Sequence, residues 1–183
     1  MKKILIPFLL ALLVLSGCTQ IPFSFNIPST GQYTIDVTEV QNLGVIPVLF
    51  KDITFNQLEE IDSQLDKVVI DYLKIVLEAQ ATGTIEGEVE ITVYASTTEI
   101  TLNDVLDDTL IVASSTFTQN NTVVILTLDS SISPAFSKII DYINNGGRVF
   151  HIAVLVENTL SSIDEIGIRI TGGLIKGKFV IIP

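Results

Sequence analysis

Hydrophobic positions change period several times along this chain. After an apolar run from Ile4 to Leu15, broken only by Pro7, the residues Ile21, Phe23, Phe25 and Ile27 alternate with others in a segment bounded by prolines and ending Ser29-Thr30-Gly31. That segment reads as an extended tether over 18–31 or as a first edge strand. Tyr33, Ile35 and Val37 then alternate with Thr34, Asp36 and Thr38, which predicts a half-buried strand within 32–40. Pro47 makes the short apolar piece from Val45 to Phe50 an edge strand or a loop. From Thr54 to Gly83 the apolar residues Leu58, Ile61, Leu65, Val68, Tyr72, Ile75 and Ala79 recur at steps of three and four, a helical stripe widened by Val69, Ile70, Leu73, Val76 and Leu77. Thr54 with Gln57, or Asn56 with Glu59, suits a capping box and Gly83 a stop, so a helix of about 37 Å is expected.

Beyond Thr84 the period returns to two. Ile85, Val89, Ile91, Val93 and Ala95 oppose Glu86, Glu88, Glu90, Thr92 and Tyr94, the clearest strand pattern in the chain. The segments 110–117 and 122–129, joined through Gln119-Asn120-Asn121, read as a hairpin. A second, short helix is expected after Ser133 and Pro134, with Phe136, Ile139, Ile140 and Ile143 on one face and Gly146 past its end. Three more strands follow, the last two joined through Thr171-Gly172-Gly173. The expected class is mostly β (α+β): an antiparallel β-sandwich, Ig-like or similar, with one long amphipathic helix and one short helix. Residues 32–183 form its single domain.

Lys2 and Lys3, the apolar run of twelve residues and the small pair Ser16-Gly17 have the order of an export signal, too short for a transmembrane helix of about 20 residues. Cys18, the only cysteine, stands where these features converge. The stretch Leu15-Ser16-Gly17-Cys18 resembles the lipobox of bacterial lipoproteins. That resemblance covers the first tenth of the chain. It implies removal of residues 1–17, a diacylglycerol on the Cys18 thiol and acylation of the new amino terminus. A chain without other cysteines offers that thiol no competing disulfide. Thr19, rather than aspartate, follows, which points to the outer membrane facing the periplasm in a didermic cell, and otherwise to the outer face of the cytoplasmic membrane.

Loss of Lys2 and Lys3 with the signal takes the basic count from 10 to 8 against 21 acids, and the formal charge from −11 to −13. Such a surface repels nucleic-acid phosphates, so no nucleic-acid partner is expected. No cofactor is expected either: the glycine pairs at 146–147 and 172–173 fit no phosphate-binding loop, and one histidine with one cysteine cannot build the usual zinc site. Asp104, Asp107 and Asp108, with Glu99 and Asn103, are the densest acidic group and a weak Ca²⁺ candidate, but their spacing lacks the alternation and central glycine of an EF-hand. Glu86, Glu88 and Glu90 share one strand face and read as a solvated surface rather than an acid–base pair. His151 lies inside a strand pattern, with no G-x-S-x-G elbow anywhere in the chain. No catalytic residue is assigned.

The reading is a non-catalytic lipoprotein of the cell envelope, held at the membrane by its lipid, whose domain binds another envelope protein or serves as a structural module. The alternative is a carrier of an apolar ligand in a cavity between the long helix and the sheet, beneath Val69, Leu73 and Val76.

Overall fold

In the computed structural model, residues 19–36, 48–54, 67–158 and 162–181 are described; Cys18 and the signal lie outside them, as do residues 55–66 of the expected long helix. Among the described residues, nine strands build two antiparallel sheets. The first contains β1 (Thr19–Ile27), β2 (Tyr33–Asp36), β4 (Lys67–Thr84), β7 (Val123–Asp129) and β9 (Ser162–Ile181), in the order β1-β9-β4-β7. β2 pairs with β9 at residues 165–168, on the edge that β1 occupies at 173–181, so the two short strands follow one another along that edge. The second sheet has the order β3-β8-β5-β6, with β3 Val48–Thr54, β8 Val149–Asn158, β5 Glu88–Ser96 and β6 Ile111–Thr118. From β2 onward every connection except β5–β6 passes from one sheet to the other. With β1 and β2 filling one place, this is the winding of an eight-position jelly roll. The Ig-like expectation gives way to it: an Ig sandwich sets strands A, B, E and D against C, F and G, whereas here the last strand lies between the first and the fourth.

Both sheets turn apolar faces inward. Leu73, Ile75 and Leu77 of β4 meet Ile91 and Val93 of β5, Val154 of β8, and Phe136 and Ile139 of the one α-helix among the described residues, α1 (Pro134–Asn144). α1 matches its sequence signals. The Ser133 hydroxyl accepts the Phe136 N–H, Pro134 begins the first turn, and Gly146 takes φ 96° just past the end.

Residues 67–83 are not helical. They form most of β4, whose inward residues are Ile70, Leu73, Ile75, Leu77, Ala79 and Ala81. A bulge explains the misleading period. Ile70 pairs with Gly177 and Tyr72 with Lys176, leaving Asp71 as an extra residue, so the inward set steps by three once and by two thereafter. β4 is also a central strand with partly covered outer positions, which fills its sequence with apolar residues on both faces.

Three further expectations change. β6 and β7 are not a hairpin: they lie in opposite sheets, linked at the corner by a single bridge between Thr118 and Asn121. The last two expected strands are one, β9, in which Thr171 is a bulge and Gly172-Gly173 continue the ladder to β4. Residues 19–27 belong to the sheet rather than to a tether, since β1 pairs from Thr19↔Ile181 to Ile27↔Gly173 without interruption.

β7 ends at Asp129 while β4 continues past it, and α1 with its preceding turn covers the edge so exposed. Ser130 N–H donates to the Leu73 carbonyl, and the Ser130 hydroxyl accepts the Leu73 N–H. At the other end of the helix the Asn144 side chain accepts the Ile70 N–H at 2.7 Å and donates to the Ile70 carbonyl at 2.9 Å. Asn144→Ala strands both backbone groups beside the bulge and is expected to cost about 1–3 kcal/mol, read as a lower denaturant midpoint with unchanged slope.

Asp129 organises the same turn. Its carboxylate accepts the Ser131 N–H and hydroxyl at 2.8 and 2.6 Å and the Tyr72 hydroxyl at 2.8 Å. Burial pushes its pKa up, but these donors outweigh burial and hold it below the ordinary carboxylate value. The stabilisation is therefore complete above the unfolded pKa of about 4 and is lost as pH falls through the lower folded value. Asp129→Asn is expected to flatten the acid limb of a stability-versus-pH curve, measurable by denaturant titration between about pH 2 and 6.

Candidate functional site

The structure brings chemistry together at β3, the end strand of the second sheet. Residues opposite one another in an antiparallel pair share a face. Asp52 on β3 opposes His151 on β8, and His151 opposes Ser96 on β5, so the three form a row across the outer face. Their neighbours Ile53, Ile152 and Ala95 point inward and pack in or against the main core. His151 Nδ1 lies 2.7 Å from Asp52 Oδ1, with the imidazole 22% and the carboxylate 67% exposed. A cleft of about 540 Å³ opens over this pair, bounded by Glu99, Ile100, Thr101 and Leu102.

By residue type the row is serine, histidine and aspartate, but its geometry is not that of an acyl-transfer triad. Such a triad needs a buried acid to orient the imidazole and a hydroxyl free to attack. Asp52 is mostly in water, and Ser96 Oγ is engaged with Thr98, accepting its N–H and contacting its hydroxyl at 3.1 Å. What the cleft offers is a polar rim of two carboxylates, an imidazole and a threonine over an aliphatic floor. Asp52 and Ile152 also line a second cleft, of about 260 Å³, on the inner side of β3 between the sheets, where Leu77, Val154, Ile168 and Ile170 form apolar walls.

Residues 97–110 bring Glu99 and Thr101 to this place by folding over the outer face of the second sheet, where Ile100 and Val105 bury against Tyr94, Ala153 and Leu155. Tyr94 is consequently covered, and burial together with Glu157, Asp108 and Glu90 pushes its pKa up. The acidic group has structural work. Asp104 accepts the Thr101 hydroxyl at 2.6 Å and its N–H at 2.8 Å, and Asp107 accepts the Thr109 N–H at 2.9 Å; these bonds hold both carboxyls below their usual range. They brace two short 3₁₀ turns, Asp104–Leu106 and Asp108–Leu110. Among the described residues no three acidic, histidine or cysteine side chains gather as a set of metal ligands. Glu86, Glu88 and Glu90 are exposed but do not share a strand face: Glu86 lies in the turn before β5, and Glu88 and Glu90 lie on β5, Glu90 opposing Glu157, where an interior strand leaves no sheet edge to guard.

Sequence reasoning singled out His151 but missed Asp52. The two are 99 positions apart, and only the β3–β8 register joins them. Cys18 lies outside the described residues. Among those residues, no helix is long and apolar enough to cross a membrane.

No protein-family model matches the chain, and no curated protein matches it in sequence. Among solved structures it is similar to that of desmodium yellow mottle tymovirus, at 10% identity over 91% of this chain and 90% of that one, with a TM-score of 0.44. It is similar also to a capsid protein deletion mutant of Penaeus vannamei nodavirus in a subviral particle, at 11% identity over 90% and 100% of the two chains, TM-score 0.42. A carbohydrate-binding module, CBM36, with calcium and xylotriose gives 10% identity over 84% and 97%, TM-score 0.32. Likeness at this level transfers none of their functions.

Proposed function

We propose that the chain is a cell-envelope lipoprotein, anchored through Cys18, whose domain is a non-catalytic module that binds another envelope protein. One observation carries the reading: the sole cysteine follows Leu15-Ser16-Gly17 at the end of a basic and apolar export signal. The clefts flanking β3 are the binding surface, and the exposed Asp52 with the engaged Ser96 favours recognition over catalysis. Labelled palmitate fed to cells should enter the protein, and cross-linking from positions beside Asp52 should recover one envelope protein. Absence of palmitate defeats the anchor, and absence of a cross-linked partner defeats the binding role.

A second reading, a carrier of an apolar ligand, is favoured by the cleft between the sheets. Its original location is corrected: Leu73 lies in β4 and is fully buried in the core, leaving no helix there to close over a cavity. The ligand instead would enter beside Ile53 and Ile170. Native mass spectrometry of the extracted protein separates the two, since a carrier retains a small apolar adduct.

A further inference from the structure

We infer that the domain rests directly on the bilayer, with Ile21 and Phe25 of β1 placed in the boundary between lipid headgroups and acyl chains. The inference rests on lipidation of Cys18 and adds an orientation to it. A freely held lipoprotein domain needs a spacer between its acylated cysteine and its first fixed residue. Here the very next residue, Thr19, is already paired with Ile181, and pairing continues to Ile27. One residue spans at most about 3.6 Å, so lipid on Cys18 leaves the starting end of β1 no room to stand away from the membrane.

β1 cannot readily peel off to serve as a spacer. Its Phe23 and Ile27 lie over Gly177 and Gly173 of β9, where a Cβ would stand 2.7 and 2.9 Å from those side chains. Phe23 also stacks on Phe179 with centroids 4.6 Å apart. The same face, which turns toward the core where Phe23 and Ile27 pack, carries Ile21 and Phe25; at this outer edge of the sandwich they remain 44% and 43% exposed, Phe25 with its ring 5.0 Å from that of Phe23. Two large apolar side chains left in water within seven positions of a lipid anchor match a surface that is apolar just below its headgroups.

The full chain, lipidated in cells and reconstituted in phosphatidylethanolamine–phosphatidylglycerol vesicles, tests this directly. Once Cys18 is acylated, an introduced cysteine is the only free thiol. Phe25→Cys, Ser24→Cys and Ile125→Cys are each labelled with an environment-sensitive fluorophore and quenched by lipids carrying spin labels in the headgroup or shallow in the chain. Ile125 is a suitable reference, being 55% exposed on β7 at the level of Arg169, twelve positions back along β9 from Ile181. Quenching at 25 should exceed that at 125 at least threefold, and Ser24→Cys, exposed on the other face, supplies a label that leaves the apolar pair intact and should exceed 125 as well. Equal, weak quenching at all three positions with lipid present on Cys18 overturns the orientation and leaves the anchor standing. Strong intermolecular energy transfer at 25 with no lipid quenching overturns it in favour of a second copy of the chain. Absence of lipid on Cys18 defeats both the anchor and the orientation.

Discussion

A Cys18→Ser variant whose signal carries an ordinary secretory cleavage site is expected to move from the membrane pellet to the soluble fraction, lowering the pellet-to-supernatant ratio more than tenfold. A hydroxyl cannot form the thioether, and buried acyl methylenes contribute about 0.8 kcal/mol each. The rim of β1 cannot replace them. Full burial of Ile21 and Phe25 is worth about 1.5–3 kcal/mol apiece, both are already half covered, and the remainder corresponds to millimolar binding or weaker. Folding should be unaffected, because residue 18 precedes the first strand; an unchanged melting temperature of the released protein checks that the shift is one of anchoring. A variant that stays in the pellet after its signal is cleaved contradicts the anchor.

The largest loss of stability is expected from Phe136→Ala. Phe136 is fully buried, and its ring meets that of Phe150 edge-on with centroids 6.1 Å apart. It is the point at which α1 seals one end of the sandwich. Removing a buried phenyl ring costs about 3–5 kcal/mol when the surroundings cannot collapse, against a total stability of about 5–15 kcal/mol for a typical protein. Thermal unfolding should fall by roughly 6–20 °C. Phe136→Leu, which keeps most of the volume, should lose less than half as much. Equal losses from the two would mean that the site is loosely packed.

Local signals read correctly where one element faces one environment. β5 alternates because its inner face meets the core while its first outer positions, Glu88 and Glu90, meet water; α1 carries its own cap, proline and glycine. Reading failed where tertiary structure overrides local pattern. In β4 the bulge at Asp71 inserts a step of three between Ile70 and Leu73, and coverage from both sides removes the polar alternation that marks a strand. Gln119-Asn120-Asn121 signals a turn, and a turn is there, but nothing local states whether the chain re-enters its own sheet or crosses to the other. Gly172-Gly173 looked like a break because glycine has no side chain to show its face; in β9 that gap accommodates Ile27 of β1.

The same limit governs the sites. Asp52 stood between the apolar piece that ends at Phe50 and the helix expected from Thr54, in no expected element, and its pairing with His151 is a property of register, invisible to spacing. The acids of 104–108 drew attention by density, yet Asp104 and Asp107 hold Thr101 and Thr109 in the turns beside the cleft that Glu99 and Thr101 line. The proposed anchor rests on a linear pattern, which is read without any fold.

The most direct measurement is the mass of the amino-terminal peptide of the mature protein extracted from membranes. The account predicts a peptide beginning at Cys18 with a diacylglyceryl thioether and an acylated amino group. A peptide beginning elsewhere, or one that begins at Cys18 without lipid, would contradict it.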